Sequence, residues 1–362
     1  MPEETAGTAR LALADLGWDA GWEAHAPPPE GNLAAARVVA VDRELLLLAG
    51  AEGLLRARLS GRLRREAAGP EGRPCVGDWV WVARAHRGAS GRVERLLPRR
   101  TFLQRRAAGS AGTTQPIAAN VDAVVIVQSC HFDFNRRRLE RYLVMAREAG
   151  ATPLVLLTKT DLVSPEELAA QLAGIREAGI EDEVLTLSNV TGAGLDALVA
   201  RLAPRHTYCF VGSSGVGKST LINALLGGER LATATVSGTG EGRHTTVRRE
   251  LHRLAGGALV IDNPGMRELG MAGGEEGLAA TYADIEALAP GCRFRDCTHT
   301  GEPGCAVQAA IDAGDLDAGH AGSFDKLRRE AEHYRSTELE RKRRERTFGR
   351  LVKAFKKERG ER

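Results

Sequence analysis

Aromatic residues are scarce: Phe, Tyr and Trp together make up 4% of the 362 residues. That argues against an extended aromatic platform on which unpaired bases could stack. Long apolar runs are missing too, and none approaches the roughly 18 residues needed to cross a bilayer. The N-terminus carries Glu3 and Glu4 and lacks a basic-then-apolar signal pattern, so a cytoplasmic chain with no membrane partner is expected. Of six cysteines, Cys75, Cys130 and Cys209 are scattered among apolar neighbours and read as small hydrophobes.

What is present describes a globular protein with room for two or three domains, at 43% apolar and 27% charged residues. The net charge of +3 hides a polarity. Residues 33–108 hold 16 Arg/Lys against 7 Asp/Glu, and residues 326–362 hold 15 against 7, so the remainder is strongly acidic. Two basic ends around an acidic middle suit a polyanion gripped from two sides. Solvated arginine-rich faces would give the same composition.

Taken in order, residues 1–32 carry an acidic start, Trp18, Trp22 and the Pro27-Pro28-Pro29 breaker, and read as a flexible or loosely docked arm. Residues 33–108 hold short β-like runs, including Ala36–Val41, Leu45–Leu48, Leu54–Leu59, Asp78–Val82 and Gly91–Leu96. Their length and basic balance fit a five-stranded OB-type barrel that binds RNA, with an SH3-like barrel as the rival. Gln104–Ala119 reads as a Gly/Ala/Thr linker. The continuous apolar runs Val121–Val127 and Pro153–Leu157 look like parallel strands buried on both faces. Helices are expected over Leu139–Ala149, Pro165–Ala178 and Leu195–Leu202, with a strand at Glu183–Leu187. This βα alternation predicts a doubly wound parallel sheet over 109–285. Residues 286–362 are expected to form a C-terminal unit ending in basic helices.

The chemistry is concentrated at Tyr208–Leu226. Four β-forming residues lead into Gly212-Ser-Ser-Gly-Val-Gly-Lys-Ser219, and an apolar helical pattern follows from Thr220. G-x-x-x-x-G-K-S between a strand and a helix is a phosphate-binding loop. The small residues (Gly212, Ser213, Ser214, Gly215, Val216, Gly217) let backbone N–H groups curl around a phosphate. Lys218 would reach the β- and γ-phosphates and Ser219 would ligate Mg²⁺. Leu259–Gly265 ends a second strand with Asp262, placed for the Mg²⁺ shell, and with Gly265, whose N–H can meet the γ-phosphate.

Three further cysteines form Cys292-x₄-Cys297-x-His299-x₅-Cys305 in a loop rich in Pro and Gly. Three thiolates and one imidazole make a closed tetrahedral zinc site, hence a structural one. The alternative, a disulfide framework, fits poorly with a cytosolic chain.

Together these motifs resemble a known family. Thr158-Lys159-Thr160-Asp161 is similar to the guanine-reading N/T-K-x-D motif of GTPases, Ser188-Asn189 to the base loop that follows it, and Asp262-x-Pro-Gly265 to D-x-P-G of switch II. Here the base motifs precede the phosphate loop, as in circularly permuted GTPases. Such an order is tolerable because the ends of a doubly wound domain can lie close together. With the OB-like front, Gly242-Arg-His-Thr-Thr246, Val76–Val80, Gln115–Asp122 and the cysteine cluster, the chain resembles the ribosome small subunit-dependent GTPase A (RsgA/YjeQ) family over residues from about 33 to 335. The resemblance implies a monomeric GTPase that binds the small ribosomal subunit and its rRNA in late assembly, with other assembly factors as further partners. Hydrolysis would be stimulated by the subunit and would drive release. It places Thr246, or its neighbour Thr245, on Mg²⁺ and makes His244 a candidate for positioning water, against an exposed loop histidine with no role. Met266 stands where many GTPases carry the water-orienting Gln, so slow intrinsic hydrolysis is expected. Thr158 and Asn263 depart from the usual Asn and Thr, and little effect is expected of Asn263. A scaffold using GTP only structurally would leave the switch motifs unexplained, and a small-molecule kinase would leave Thr158–Asp161 unexplained. About thirty residues separate Gly265 from Cys292, so GTP is expected to set the zinc unit and the basic barrel in a geometry that grips rRNA, and GDP to relax it.

Overall fold

The computed structural model describes residues 12–26, 32–42, 45–67, 69, 71–83, 90–106, 114–132, 134–228, 249–263 and 274–336. Where the expected arm falls within these residues, it is packed. A 3₁₀ turn at Leu13–Leu16 leads to helix α1 (Ala20–His25), whose first turn is capped by Asp19 accepting from Trp22 N–H at 3.0 Å. Trp22 is buried, and Trp18 stacks on it and meets Trp79 edge-on. Two indoles carry too much apolar area to leave in water when a third can receive them. Asp19 and Arg100 close the seam bidentately at 2.6 Å.

Five strands follow: β1 (Leu33–Asp42), β2 (Leu45–Gly50), β3 (Gly53–Leu59), β4 (Trp79–Ala83) and β5 (Gly91–Leu96). They pair in the order β1-β2-β3-β5-β4 and close through β4–β1. The β3–β5 pair is parallel, which a simple meander would not contain, so the OB-type arrangement prevails over the SH3-like one. Val38, Leu48, Ala57, Val80 and Val93 fill the interior. Helix α2 (Gly61–Glu66), capped by the Ser60 hydroxyl, adds Leu63 to that core.

The stretch read as a linker contains a hairpin, β6 (Phe102–Arg106) with β7 (Thr114–Ala119). The expected boundary at 108/109 therefore falls between two paired strands. Beyond it come β8 (Ala123–Ser129), α3 (Arg136–Glu148), β9 (Thr152–Thr158), α4 (Pro165–Glu177), β10 (Val184–Leu187), α5 (Leu195–Arg201), β11 (Thr207–Val211), α6 (Lys218–Leu225), β12 (Glu250–Arg253) and β13 (Leu259–Asp262). The sheet order is β10-β9-β8-β11-β13-β12; all neighbours are parallel except β12, which runs antiparallel to β13. The strand bearing the phosphate loop is thus central, flanked by strands that precede and follow it in the chain. This is the expected doubly wound sheet in permuted order.

The barrel joins this sheet edge to edge, Ala40 of β1 pairing with Glu250 of β12. Beside the joint Arg37 is 1% exposed. Its guanidinium donates to the carbonyls of Gly77 (3.1 Å), Asn120 (2.9 Å) and Leu16. Burial, partly offset by the charges of Asp122 and Asp78, pulls its pKa down to about 10.

The C-terminal part packs on α3. Helix α7 (Glu275–Thr281) crosses α3 so closely that a Cβ on Gly277 would lie 2.3 Å from the Val144 carbonyl oxygen. Helices α8 (Ala283–Leu288), α9 (Ala306–Ala313) and α10 (318–336) complete the unit around Tyr282, Ile285, Val307, Phe324 and Leu327. His320 of α10 is buried between Glu140 of α3 (2.8 Å) and Asp284 of α8 (3.3 Å). Arg141 holds Glu330 through two contacts of 2.7 Å. The helical region expected over Phe324–Phe355 begins earlier, at 318, where Asp317 accepts from the His320 N–H (2.7 Å). The basic run Arg341–Arg344 lies outside the described residues. Among the described residues, no helix is long and apolar enough to cross a membrane.

Candidate nucleotide site and metal-binding loop

Every described nucleotide-motif residue comes to the carboxyl edge of the parallel sheet, the usual ligand position in such folds. β11 delivers the chain into Gly212, whose φ of 147° and close approach to the Val127 carbonyl, 2.2 Å from a built Cβ, exclude any larger residue. Gly217 (φ 95°) serves as N-cap of α6 with no side-chain cap, which leaves the first N–H groups of that helix for an anion. Lys218 is 5% exposed, and its ammonium donates to the carbonyls of Gly212 (2.7 Å) and Ser213 (2.5 Å). Its charge is therefore poised over the loop. Ser219 and Thr220 follow in the first turn of α6.

The base motifs are tied to this loop by hydrogen bonds. Thr158 ends β9 fully buried, and its hydroxyl lies 2.6 Å from the Val216 carbonyl and 3.1 Å from that of Gln128. It has one proton to give, and the shorter contact takes it. Thr158, where Asn is usual, thus joins the base loop to the phosphate loop through its hydroxyl. Lys159 adopts φ 59°, turning the chain into the short helix Thr160–Leu162. From the end of β10, the Ser188 hydroxyl donates to Asp161 Oδ1 at 2.5 Å, and Asn189 Nδ2 donates to the Gly217 carbonyl at 3.1 Å. Residues near 160, 188 and 217 thus form one bonded rim.

Asp262 closes the site from β13. It is 1% exposed, and neither carboxylate oxygen has a hydrogen-bond partner among the described residues. Burial pushes its pKa up, and the nearby Lys218 charge pulls it back only in part. A buried carboxylate with two unspent oxygens beside a phosphate loop fits a divalent cation. The next residue, Asn263, is fully buried and accepts from Arg249 Nε at 2.8 Å. Sequence reasoning passed over Arg249, which looks like one more arginine in a basic stretch. His244, Thr245, Thr246, Gly265 and Met266 lie outside the described residues.

Cys292, Cys297, His299 and Cys305 present ligand atoms all within 4.8 Å of one another. His299 Nδ1 lies 3.5 Å from Sγ of both Cys292 and Cys305, and those two sulfurs are 4.0 Å apart. Ligands on a tetrahedral zinc stand roughly 3.5–3.8 Å apart, while a disulfide needs about 2.05 Å. The donor set fits zinc, and none of these thiols is paired in a disulfide. The loop is pre-shaped by Glu302, which accepts from the N–H groups of Thr298 (2.8 Å) and Thr300 (2.9 Å), and by His299 at φ 61°.

A protein of Opitutus terrae, the small ribosomal subunit biogenesis GTPase RsgA, is 46% identical over 333 residues, covering 88% of this chain and 90% of its own. The chain belongs to the RsgA GTPase family. The profile of that family matches residues 96–272. The RsgA of Syntrophotalea carbinolica is 38% identical over 97% of this chain and 100% of its own. Among solved structures, YloQ, a circularly permuted GTPase, superposes with a TM-score of 0.58 at 25% identity, covering 84% of this chain and 98% of that one. YjeQ from Thermotoga maritima shares the fold at a TM-score of 0.62 and 23% identity, over 83% and 98%. The chain is accordingly a GTP hydrolase that uses GTP and Mg²⁺, with a Cys₃His cluster compatible with zinc.

Proposed function

We propose that this GTPase works on the small ribosomal subunit in late assembly, and that the subunit stimulates hydrolysis, which drives release. The observation that carries the reading is the bonded rim from Asp161 through Ser188 and Asn189 to Gly217, next to the buried Asp262, whose carboxylate oxygens have no hydrogen-bond partner among the described residues. A site that preorganised is built to sense both ends of a nucleotide, and the relatives of the same architecture are named for small-subunit biogenesis.

Each residue takes a role within that reading. Asp161 accepts from the two N–H donors on the guanine edge; adenine lacks that pair and would leave the carboxylate unsatisfied. Thr158, Lys159, Thr160, Ser188 and Asn189 hold the base loops in register. The N–H groups from Ser213 to Thr220 cradle the phosphates, and Lys218 exchanges its carbonyl contacts for phosphate oxygens. Ser219, Thr246 and Asp262 would hold Mg²⁺, which would supply positive charge against the charge developing on the phosphates. Gly265 offers its N–H to the γ-phosphate and His244 orients water. Met266 cannot orient water, so the subunit supplies the missing organisation. The zinc cluster holds the loop between α8 and α9 as a structural element. The basic barrel (33–108) and the basic end of the C-terminal unit (286–362) flank the GTPase domain and grip rRNA through its phosphates.

The test is GTP turnover by the full chain with and without purified small subunits. Stimulation of tenfold or more is expected. Turnover that small subunits leave unchanged, at concentrations where both are shown to bind, refutes the reading.

A further inference from the structure

Arg249 and Asn263 face each other across the open end of the β12–β13 pair, one residue beyond the register pair Glu250 and Asp262. Each borders a switch motif: Arg249 follows Gly242–Thr246, and Asn263 belongs to Asp262–Gly265. The Arg249 guanidinium uses two nitrogens in two directions. Nε donates to Asn263 Oδ1 at 2.8 Å, and Nη1 donates to the Pro116 carbonyl of β7 at 2.9 Å. A planar fork fixes the angle between two such bonds, which a single ammonium cannot do.

Pro116 is suited to receive it. The β6–β7 register shifts between Leu103 and Gln104, opposite Pro116. Proline has no N–H to give to β6, and its carbonyl turns to Arg249. From there β7 is fastened to the barrel at both ends. Thr114 donates to Glu71 Oε1 at 2.9 Å. The Ala119 N–H donates to the Val76 carbonyl at 2.9 Å, and Asn120 Nδ2 to that of Gly77 at 3.1 Å. Gly77, at φ 93°, passes so near that a built Cβ would sit 2.0 Å from the Ala119 oxygen. A continuous hydrogen-bonded path therefore runs from the residue after Asp262, through Arg249 and β7, to the loop that enters β4.

We infer that Arg249 and Asn263 are positioning residues that couple the nucleotide state at Asp262 to β7 and, through it, to the barrel. Asn263 directly follows Asp262, a buried carboxylate on the phosphate side of the site whose oxygens have no hydrogen-bond partner among the described residues. Any change in the Asp262 backbone therefore carries the Asn263 acceptor with it. Through the guanidinium fork, that displacement reaches Pro116. Asn263 is then a functional choice of this chain, contrary to the little effect expected of it. The inference rests on GTP binding and does not require the barrel to bind rRNA.

The test is backbone amide hydrogen exchange on the full zinc-loaded chain at saturating GDP or saturating non-hydrolysable GTP analogue, with bound nucleotide quantified in the same samples. Amides at 117–120 and 76–78 should exchange at least threefold more slowly with the analogue. Asn263→Leu, of similar size but without the acceptor, should erase the difference, and Asn263→Asp should keep it, because a carboxylate accepts from the same Nε. Arg249→Lys should diminish it too, since an ammonium lacks the planar fork that fixes the angle between the two bonds. An undiminished difference in nucleotide-loaded Asn263→Leu, or no difference in the wild type, overturns the inference.

Discussion

Thr158→Val replaces a hydroxyl with a methyl of nearly the same shape at a fully buried position, so packing is kept and only the donor to Val216 is lost. The Val216 carbonyl belongs to the phosphate loop and the residue itself is buried. Leaving such an acceptor without its partner costs about 1–3 kcal/mol. Felt wholly in the bound state, that is roughly a 5- to 150-fold weaker Kd. The bond lies between the base loop and the phosphate loop, away from Asp262, so GTP and GDP should weaken by the same factor. In kinetic terms KM rises and kcat stays, the mark of lost uniform binding. Isothermal titration with both nucleotides, beside a thermal melt of the nucleotide-free protein, separates lost binding from lost stability. Thr158→Ser, which keeps the hydroxyl, serves as control. A loss confined to GTP, or unchanged affinity and unchanged melting, would show that the bond does not join the two loops.

The remaining expectations concern other parts of the molecule. Asp161→Asn should weaken GTP binding and admit xanthosine triphosphate, since an amide donor matches the exocyclic oxygen of xanthine; an unaltered nucleotide preference in competition assays refutes the base-reading role. Cys297→Ser should release zinc and expose 286–336 to protease while the GTPase domain still binds nucleotide; full zinc content by atomic absorption would sink the ligand assignment. His320 titrates across a wide window. Burial opposes its charge, but the hydrogen bonds that its ring N–H groups donate to Asp284 and Glu140, with the charges of those carboxylates, outweigh burial and raise the pKa from 6.5 to about 9. Its ion pairs thus contribute stability that is full below about pH 6.5 and is lost as pH rises through about 9. Melting temperatures should fall over that window more in the wild type than in His320→Gln, and equal slopes would be the contrary result.

What could be read in the sequence depended on whether the signal was local. The barrel strands and the parallel strands announce themselves by short alternating runs and continuous apolar runs, and the ends fell within a few residues of those expected. Gly212–Ser219 and Cys292–Cys305 are legible because their chemistry demands fixed spacing. The β6–β7 hairpin was missed because Gln104–Ala119 has no period-two apolar pattern; its strands are held by each other and by the barrel loop at Val76 and Gly77. Strand β12 was missed for the same reason. Only Leu251 of its four residues is buried, and its place is set by β13 on one side and β1 on the other. Trp18 and Trp22 suggested a loose arm because their receptor, Trp79, lies some sixty residues away.

The same distinction bears on which part answers the nucleotide. The short connection between Gly265 and Cys292 suggested that the zinc unit would move. The structure instead bolts that unit to α3. Gly277 lets α7 approach within reach of the α3 backbone, and Glu140 and His320 bury a charged pair across the seam, with the exposed Asp284 on the far side of the imidazole. Sliding one helix past the other would strand those charges, and removing one partner of a buried pair costs about 3–5 kcal/mol. The barrel is held differently. One register pair, Ala40 with Glu250, joins it to the sheet edge, and the bonds of Arg37 and most of those of β7 run to backbone carbonyls, with Thr114 donating to Glu71. A neutral donor can exchange such an acceptor for a neighbouring carbonyl at about 0.5–1.5 kcal/mol, and the Arg37 guanidinium at about 1.5–3 kcal/mol per bond. Small displacements at Asp262 and Asn263 are therefore absorbed more cheaply at the barrel joint than at the α3 seam. On that ground the barrel is expected to change its setting with the nucleotide more than the zinc unit does, which amide exchange in the two nucleotide states would read at both seams.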